Sequence, residues 1–339
     1  MTKTGRRVSW GVGLAALALM AIPVSAPGAS PRLHLGIVTL SASHLPIWGT
    51  EDGGYFPQEG VDVQSIVIGG SATALQSLLA GDVALVTVAG PAVVNAKLRG
   101  ADLVMIAGLV TFPPYEVVVR PDIARVEELR GKALAVNRFG GAADFLLRHL
   151  LRQHGMNPDR DVKILQVGGQ TERVAALGQG TVAGTAVDAP FTTKARRFGV
   201  RTLVDLTKSG IAFQHTGLSG LGRTLQADRD RVRRLMRAVA RGIHRIKTDR
   251  EFAIRSVVRH LRLERPDEAV EAVELFAPKL PAAPYPTLQG LQFILDSLAE
   301  KSPRARAVSP EALTDLSFVR ELEESGFIRR LYARPAGPR

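Results

Sequence analysis

The chain repeats itself once, at a constant offset of 99 residues. Laid together without a gap, residues 66–100 and 165–199 share ten identities in 35 pairs. Five of them are Gly or Pro: Gly69/Gly168, Gly70/Gly169, Gly81/Gly180, Gly100/Gly199 and Pro91/Pro190. These residues set backbone geometry rather than surface chemistry. A duplicated unit predicts two similar lobes. Two lobes facing each other enclose a cleft, and clefts hold ligands.

The pattern inside each copy reads as strand, turn, helix. In the first, alternation predicts a strand over 32–39. A turn with Ser41, Ser43 and His44 leads to a short helix through Trp48, stopped by Gly53 and Gly54. A second strand runs over 60–68. Gly69 and Gly70 then open a helix with Ser71 as N-cap and Leu75, Leu78 and Leu79 on its inner side. Gly81 ends that helix, a buried strand covers 83–88, and Pro91 sits in the first turn of the next helix, closed at Gly100. The second copy gives strands at 132–137, 162–167 and 182–187, and helices over 144–154, over 171–177 and from Pro190. Strands alternating with helices call for mainly parallel sheets with helices on both faces. Two extended crossings, at 109–119 and 203–217, bracket the second copy. Beyond Leu225 the chain reads as helical, with later helices starting at Thr287 and at Ser309, the last closed by Gly326.

The N-terminus stands apart. Lys3, Arg6 and Arg7 precede an uncharged run over 11–30, which breaks up into Pro and small residues near Ala26, Gly28 and Ala29. This is the build of a cleaved signal peptide over 1–30, with a retained anchor as the alternative. The chain has no cysteine, which excludes a lipoprotein anchor, disulfides and thiolate chemistry. Periplasmic or extracytoplasmic localisation follows, with no stable membrane insertion once the signal is removed. Net charge is +12, or +9 without Lys3, Arg6 and Arg7. The arginines spread over helices without interleaved aromatics, so they read as a solvated face rather than a nucleic-acid surface.

The order of these segments resembles the periplasmic substrate-binding proteins of ABC importers, and more narrowly the nitrate/sulfonate/taurine and thiamine-pyrimidine-precursor group. The resemblance rests on Gly54, Tyr55 and Phe56 leading into Glu59, Gly60, Val61, Asp62 and Val63, then on Gly69 and Gly70 ahead of Leu78, Leu79, Ala80 and Gly81. The second copy adds Leu129, Arg130, Gly131 and Lys132, then Gly155 before Asp161 and Val162, and Ala175, Ala176 and Leu177. It departs from the group at Ala84 and Ala183, where Asp is common. The resemblance implies a type II periplasmic-binding-protein fold of the α/β class. Lobe one comes from 31–112 plus 215–339, with the C-terminal helices, and lobe two from 113–214. Two hinge strands join them. It also implies a monomer that captures a small molecule and passes it to an importer permease.

In an open parallel sheet, ligands sit beyond the carboxyl ends of the strands, near helix N-termini. Ser41, Ser43 and His44 meet that condition, as ligand contacts or as ordinary turn and helix-start residues. So do Gly70, Ser71, Thr87, Ala89 and Gly90. Across the cleft stand Phe139, Gly140, Gly141 and Ala142, whose paired glycines permit close backbone approach. Asp188 can take a donor from the ligand or cap a helix. Phe213 can stack on a planar solute or belong to the core. Gln214 and His215 lie on a crossing and can reach the cleft. No metal or cofactor is expected.

An enzyme on the same fold, acting on a pyrimidine-like or small anionic substrate, is the rival reading, since fold does not fix function. Motifs for a nucleophile elbow, a metalloprotease helix or a phosphate loop are missing. A sensory module without a permease is a third reading.

Overall fold

The computed structural model describes residues 1–2, 32–300 and 302–333, so the signal-peptide reading of 1–30 falls almost wholly outside the described residues. Among the described residues, ten strands form two five-stranded sheets. The first holds β1 (Leu33–Ile37), β2 (Val63–Val67), β3 (Leu85–Val88), β4 (Leu103–Val110) and β10 (Thr216–Leu221). The second holds β5 (Glu116–Val119), β6 (Ala133–Val136), β7 (Lys163–Gln166), β8 (Gly184–Val187) and β9 (Arg201–Asp205).

The spatial orders are β2-β1-β3-β10-β4 and β7-β6-β8-β5-β9. The repeat therefore persists into the register. Leu33 lies opposite Val63 and Ala133 opposite Lys163, in parallel pairs that are each 30 residues apart. In each sheet the fourth strand runs against the rest: β10 is antiparallel to β3 and β4, and β5 to β8 and β9. Those two reversed strands are exchanged between the copies. The chain leaves the first sheet after β4, enters the second through β5, and returns from β9 to β10. Two crossings, 111–115 and 206–215, thus connect the lobes.

Local chemistry explains most element ends. The helices Ser71–Ala80 and Gln170–Gly178 are followed by Gly81 and Gly180 at φ +87° and +74°, a backbone state that L side chains rarely adopt. Strand β3, with the sequence LVTV, is buried along its whole length, as a central parallel strand must be. The 20-residue helix Arg229–Thr248 buries Val232, Leu235, Met236, Val239, Ile243 and Ile246 against lobe one. Its arginines face outward into ion pairs, with Arg229 and Arg233 on Glu321 and Arg237 and Arg241 on Glu59.

Three expected features differ. Gly70, not Ser71, occupies the cap position, and Ser71 is the first helical residue. Asp188 caps no helix, because the segment turns through Ala189 and Pro190 and the helix begins at Phe191. The helix expected from Ser309 is broken. A short 3-10 turn at Glu311–Leu313 ends where Thr314 bridges to Met105 beside the first sheet, and Ser317–Glu324 starts anew. No helix among the described residues is long and apolar enough to cross a membrane.

Candidate functional site

The carboxyl ends of β1, β3 and β8 and the ends of both crossings converge on one polar cluster, shut away from solvent. After β1 the chain makes a 3-10 turn, Ala42–His44, in which Ser41 Oγ accepts from Ser43 N at 3.2 Å. That turn fixes the Ser41 hydroxyl, which donates to Asp188 Oδ2 of the opposite lobe at 2.6 Å. Asp188 is 1% exposed. Its Oδ1 accepts from Gln170 Nε2 at 2.7 Å, and its own N–H donates to Gln170 Oε1 at 2.8 Å. Burial pushes the Asp188 carboxyl up to about 6, against the pull of its hydrogen bonds with Ser41 and Gln170 and of the Arg173 charge.

Lobe one contributes a histidine. His44 Nε2 lies 2.9 Å from Thr87 Oγ1, which itself donates to the Gly36 carbonyl at 3.3 Å. With that proton committed, the Thr87 oxygen accepts from His44 Nε2–H, and Nδ1 faces Ser43 Oγ at 3.4 Å. Burial lowers His44 to about 4, so the ring is neutral.

The crossings supply a second pair. Tyr115 ends one and His215 the other, with Tyr115 OH 2.9 Å from His215 Nε2. Thr216 Oγ1 holds Nδ1 at 2.8 Å. Burial, with His44 nearby, pushes His215 down to about 3, and burial beside Asp188 drives the Tyr115 hydroxyl well above its usual range. Arg173, on the helix that carries Gln170, is 2% exposed. Its Nη1 donates to Thr185 Oγ1 at 3.0 Å and to the Ala186 carbonyl, and its Nε to the Gly169 carbonyl at 3.3 Å.

Beside this cluster lies a cavity of about 220 Å³, lined from lobe one by Thr39, Leu40, Val67 and Gly70 and from lobe two by Asn137, Arg138 and Gly168 to Glu172. Gln170 belongs to both, walling the cavity while clamping Asp188. At the mouth the lobes touch: Arg138 Nε donates to the Gly69 carbonyl at 3.4 Å, and a β-carbon on Gly70 would lie 2.4 Å from Arg138 Cγ.

Ser41, Ser43, His44, Thr87, Asp188 and His215 are thus brought together. Gly70 lines the cavity, and Ser71 is buried next to it at the helix start. The other candidates face elsewhere. A β-carbon on Gly90 would lie 2.8 Å from the Gln214 carbonyl, so that position is packed on backbone, and Ala89 sits in the core. Gly140 N–H is taken by Asp144 Oδ2 at 2.8 Å, Gly141 abuts Asn137, and Ala142 is core. Phe139 is 48% exposed, with Arg148 over its ring at 6.0 Å. Phe213 stacks on Phe145 with centroids 5.6 Å apart, inside the core. Gln214 spends its amide on the Thr216 carbonyl and on Thr287 N.

Sequence reasoning missed Tyr115, Gln170 and Arg173. The repeat held a signal for two of them. Their partners in the first copy are Ser71 and Ala74, so the first turn of the second helix gains a long polar residue and a cation on the face that its counterpart keeps small.

The family description "NMT1/THI5 like" matches residues 41–252, well over half the chain. YtlA of Bacillus subtilis (strain 168), described as a candidate binding protein, is 27% identical over 139 residues. That match spans 40% of this chain and less than half, 42%, of the relative. Among solved structures, a protein from Bordetella bronchiseptica RB50 superposes with a TM-score of 0.79 at 20% identity, covering 88% of this chain and 98% of that one. The alkanesulfonate-binding protein SsuA of Xanthomonas axonopodis pv. citri, solved with MOPS, gives 0.67 at 18%, covering 84% and 94%. The periplasmic nitrate-binding protein NrtA of Synechocystis PCC 6803 gives 0.70 at 12%, covering 87% and 88%. At such identities the structures speak to the fold, which is that of periplasmic binding proteins. The chain belongs to the NMT1/THI5-like family.

Proposed function

We propose that this protein is an exported solute receptor that captures a small molecule between its lobes and delivers it to an ABC importer, without catalysing a reaction. One observation carries the reading: the Ser41–Asp188 hydrogen bond, buried at the carboxyl ends of strands from both sheets, ties together two lobes that the chain itself links through two crossings. A polar cluster at such a junction opens when the lobes part and closes over a ligand when they meet, the usual hinge motion of two-lobed receptors. The strand membership supports lobe one as 31–112 plus 215–339 and lobe two as 113–214. The segment 1–30 serves as the export signal, and the mature protein works as a monomer in the periplasm.

Ser41, Ser43, His44, Gly70, Ser71, Thr87, Asp188 and the hinge pair Tyr115 and His215 form the ligand-facing set in this reading. The cavity lies below the ~300–1,000 Å³ typical of drug-sized ligands, which favours a compact solute. The test is a thermal-shift screen of the mature protein with alkanesulfonates, nitrate, aromatic acids and amides, and small heterocycles. A ligand at about 100 times its Kd adds roughly 2.7 kcal/mol, a shift of several degrees. A saturable shift with one chemical class, lost in Ser41→Ala, supports the receptor. Turnover of a compound in the same screen would refute it.

A further inference from the structure

We propose that Asp188 is a proton-operated lock between the lobes: its carboxyl takes up a proton when the cleft shuts and gives it back when the cleft opens. The proposal rests on the parting of the lobes in the receptor reading and on no particular solute.

The placement of the carboxyl makes the lock. Asp188 follows β8 in lobe two and is 1% exposed. Gln170 Nε2 donates to Oδ1 from the same lobe, whereas the donor to Oδ2, Ser41 Oγ, belongs to lobe one. Parting the lobes strips Oδ2 of that partner and admits water in its place. With the lobes together, no ion pair among the described residues reaches the carboxyl. Arg173 is the cation that faces it, and its Nη1 and Nε donate instead to Thr185 Oγ1 and to the carbonyls of Ala186 and Gly169. The other titratable neighbours are held neutral by burial: His44 on the turn after β1, and His215 and Tyr115 on the crossings. Glu271, on the helix Asp267–Phe276, faces Thr192, Thr193 and Arg196. A carboxylate sealed in without an ion pair is costly, and a proton removes that cost.

Acid therefore shuts the cleft through this group. Burial lifts the closed carboxyl to about 6, and water returns it toward its ordinary 3.8. The shut form binds the proton more tightly, so Asp188 raises the closed-to-open ratio about tenfold between about pH 8 and about pH 5. Acid acts in the opposite direction through its neighbours. Protons on His44 and His215 favour the wetter open form, and protons on Glu268 and Glu271 release their lobe-two cations. The part due to Asp188 is accordingly read by difference.

Leu79→Cys in lobe one and Gln153→Cys in lobe two, in a chain with no native cysteine, carry a dye pair whose energy transfer reports the closed fraction of the mature protein. Asp188→Asn keeps the shape and removes the titrating group. Between about pH 8 and about pH 5 the closed-to-open ratio of the parent should rise about tenfold relative to that of Asp188→Asn. Ser41→Ala is the second variant and decides the matter should Asp188→Asn fail to fold. It keeps the carboxyl and removes the cross-lobe donor to its charged form, so its closed fraction should fall at the higher pH and largely recover at the lower. Parallel pH profiles in the parent and Asp188→Asn, or a Ser41→Ala deficit as large in acid as in base, overturn the lock and leave the receptor standing. Transfer that changes under no condition, about 1 M salt included, overturns the lock and the receptor's lobe motion together.

Discussion

Closure has a second anchor, and its contribution can be worked out. The helix Asp267–Phe276 packs in the lobe-one core, while Phe191–Arg196 belongs to lobe two. Between them Glu268, only 6% exposed, takes Arg197 Nη2 at 2.6 Å and Lys194 Nζ at 3.8 Å. Glu271 takes Arg196 Nη1 at 3.2 Å together with the Thr192 and Thr193 hydroxyls. Arg196 continues to Glu116 at 2.9 Å. A fully exposed pair is worth about 0–1 kcal/mol, and removing one partner of a buried pair costs about 3–5. Here the carboxylate is buried and its cations are a third to a half exposed, so Glu268→Gln should cost the closed form about 1–2 kcal/mol. At about 1.4 kcal/mol per decade, that moves the open-to-closed ratio roughly tenfold. The chain has no native cysteine, so Leu79→Cys in lobe one and Gln153→Cys in lobe two place a dye pair without background labelling. Energy transfer in the Glu268→Gln protein should report a larger open fraction. Adding about 1 M salt to the parent, where the screening length is about 3 Å, should move it the same way. Unchanged transfer in both experiments would refute the idea that this clasp holds the lobes.

Other outcomes can be checked directly. Arg173→Leu should lose about 2–4 kcal/mol in urea unfolding, since it takes a buried charged donor from the Ala186 carbonyl and from Thr185 Oγ1, whose own proton stays on the Ala135 carbonyl. Gly108→Ala should cost a comparable amount, because its β-carbon would lie 2.4 Å from the Tyr285 carbonyl oxygen and 2.8 Å from Pro286 Cα, both backbone atoms. His44 and His215 are held below their unfolded value of 6.5, so the stability they add is full above pH 6.5 and drains as pH falls through about 4 and 3. Asp188 works in the opposite sense: its contribution is present below pH 3.8 and lost as pH rises through about 6. Melting followed from pH 7 to pH 4 should fall in the parent and fall more steeply in Asp188→Asn, which lacks the opposing group.

The architecture was legible because duplication doubles the signal. The Gly81/Gly180 pair closes the corresponding helix in both lobes, and even the strand register repeats. The centre of the site was only half legible. Ser41, His44, Thr87 and Asp188 announce themselves as polar residues at strand ends, where a parallel sheet offers its ligand positions. Gln170 and Arg173 lie inside a helix pattern that also suits a solvated face, and nothing local reveals that they turn inward onto Asp188, Thr185 and the Ala186 carbonyl. Tyr115 pairs with His215 across 100 residues of sequence, a contact that exists only because the two crossings run side by side. Phe213 went the other way, since an aromatic near a crossing suits the cleft or the core equally well, and Phe145 and Phe293 claim it for the core.

The exchange of β5 and β10 between the sheets has a consequence for the order in which the molecule can assemble. The second sheet draws all five strands from one stretch, Glu116 to Asp205, so it can be completed as soon as that stretch is available. The first sheet cannot. Its β3 and β4 stay unjoined until Thr216–Leu221 arrives between them, and its core also needs helices reaching to Ala333. Until then β3 and β4 present open edges, the condition under which chains mispair and aggregate. A chain made from its N-terminus therefore finishes its inserted half first and its outer half last, and truncation between Asp205 and Thr216 should leave a folded second sheet attached to an unfinished first one.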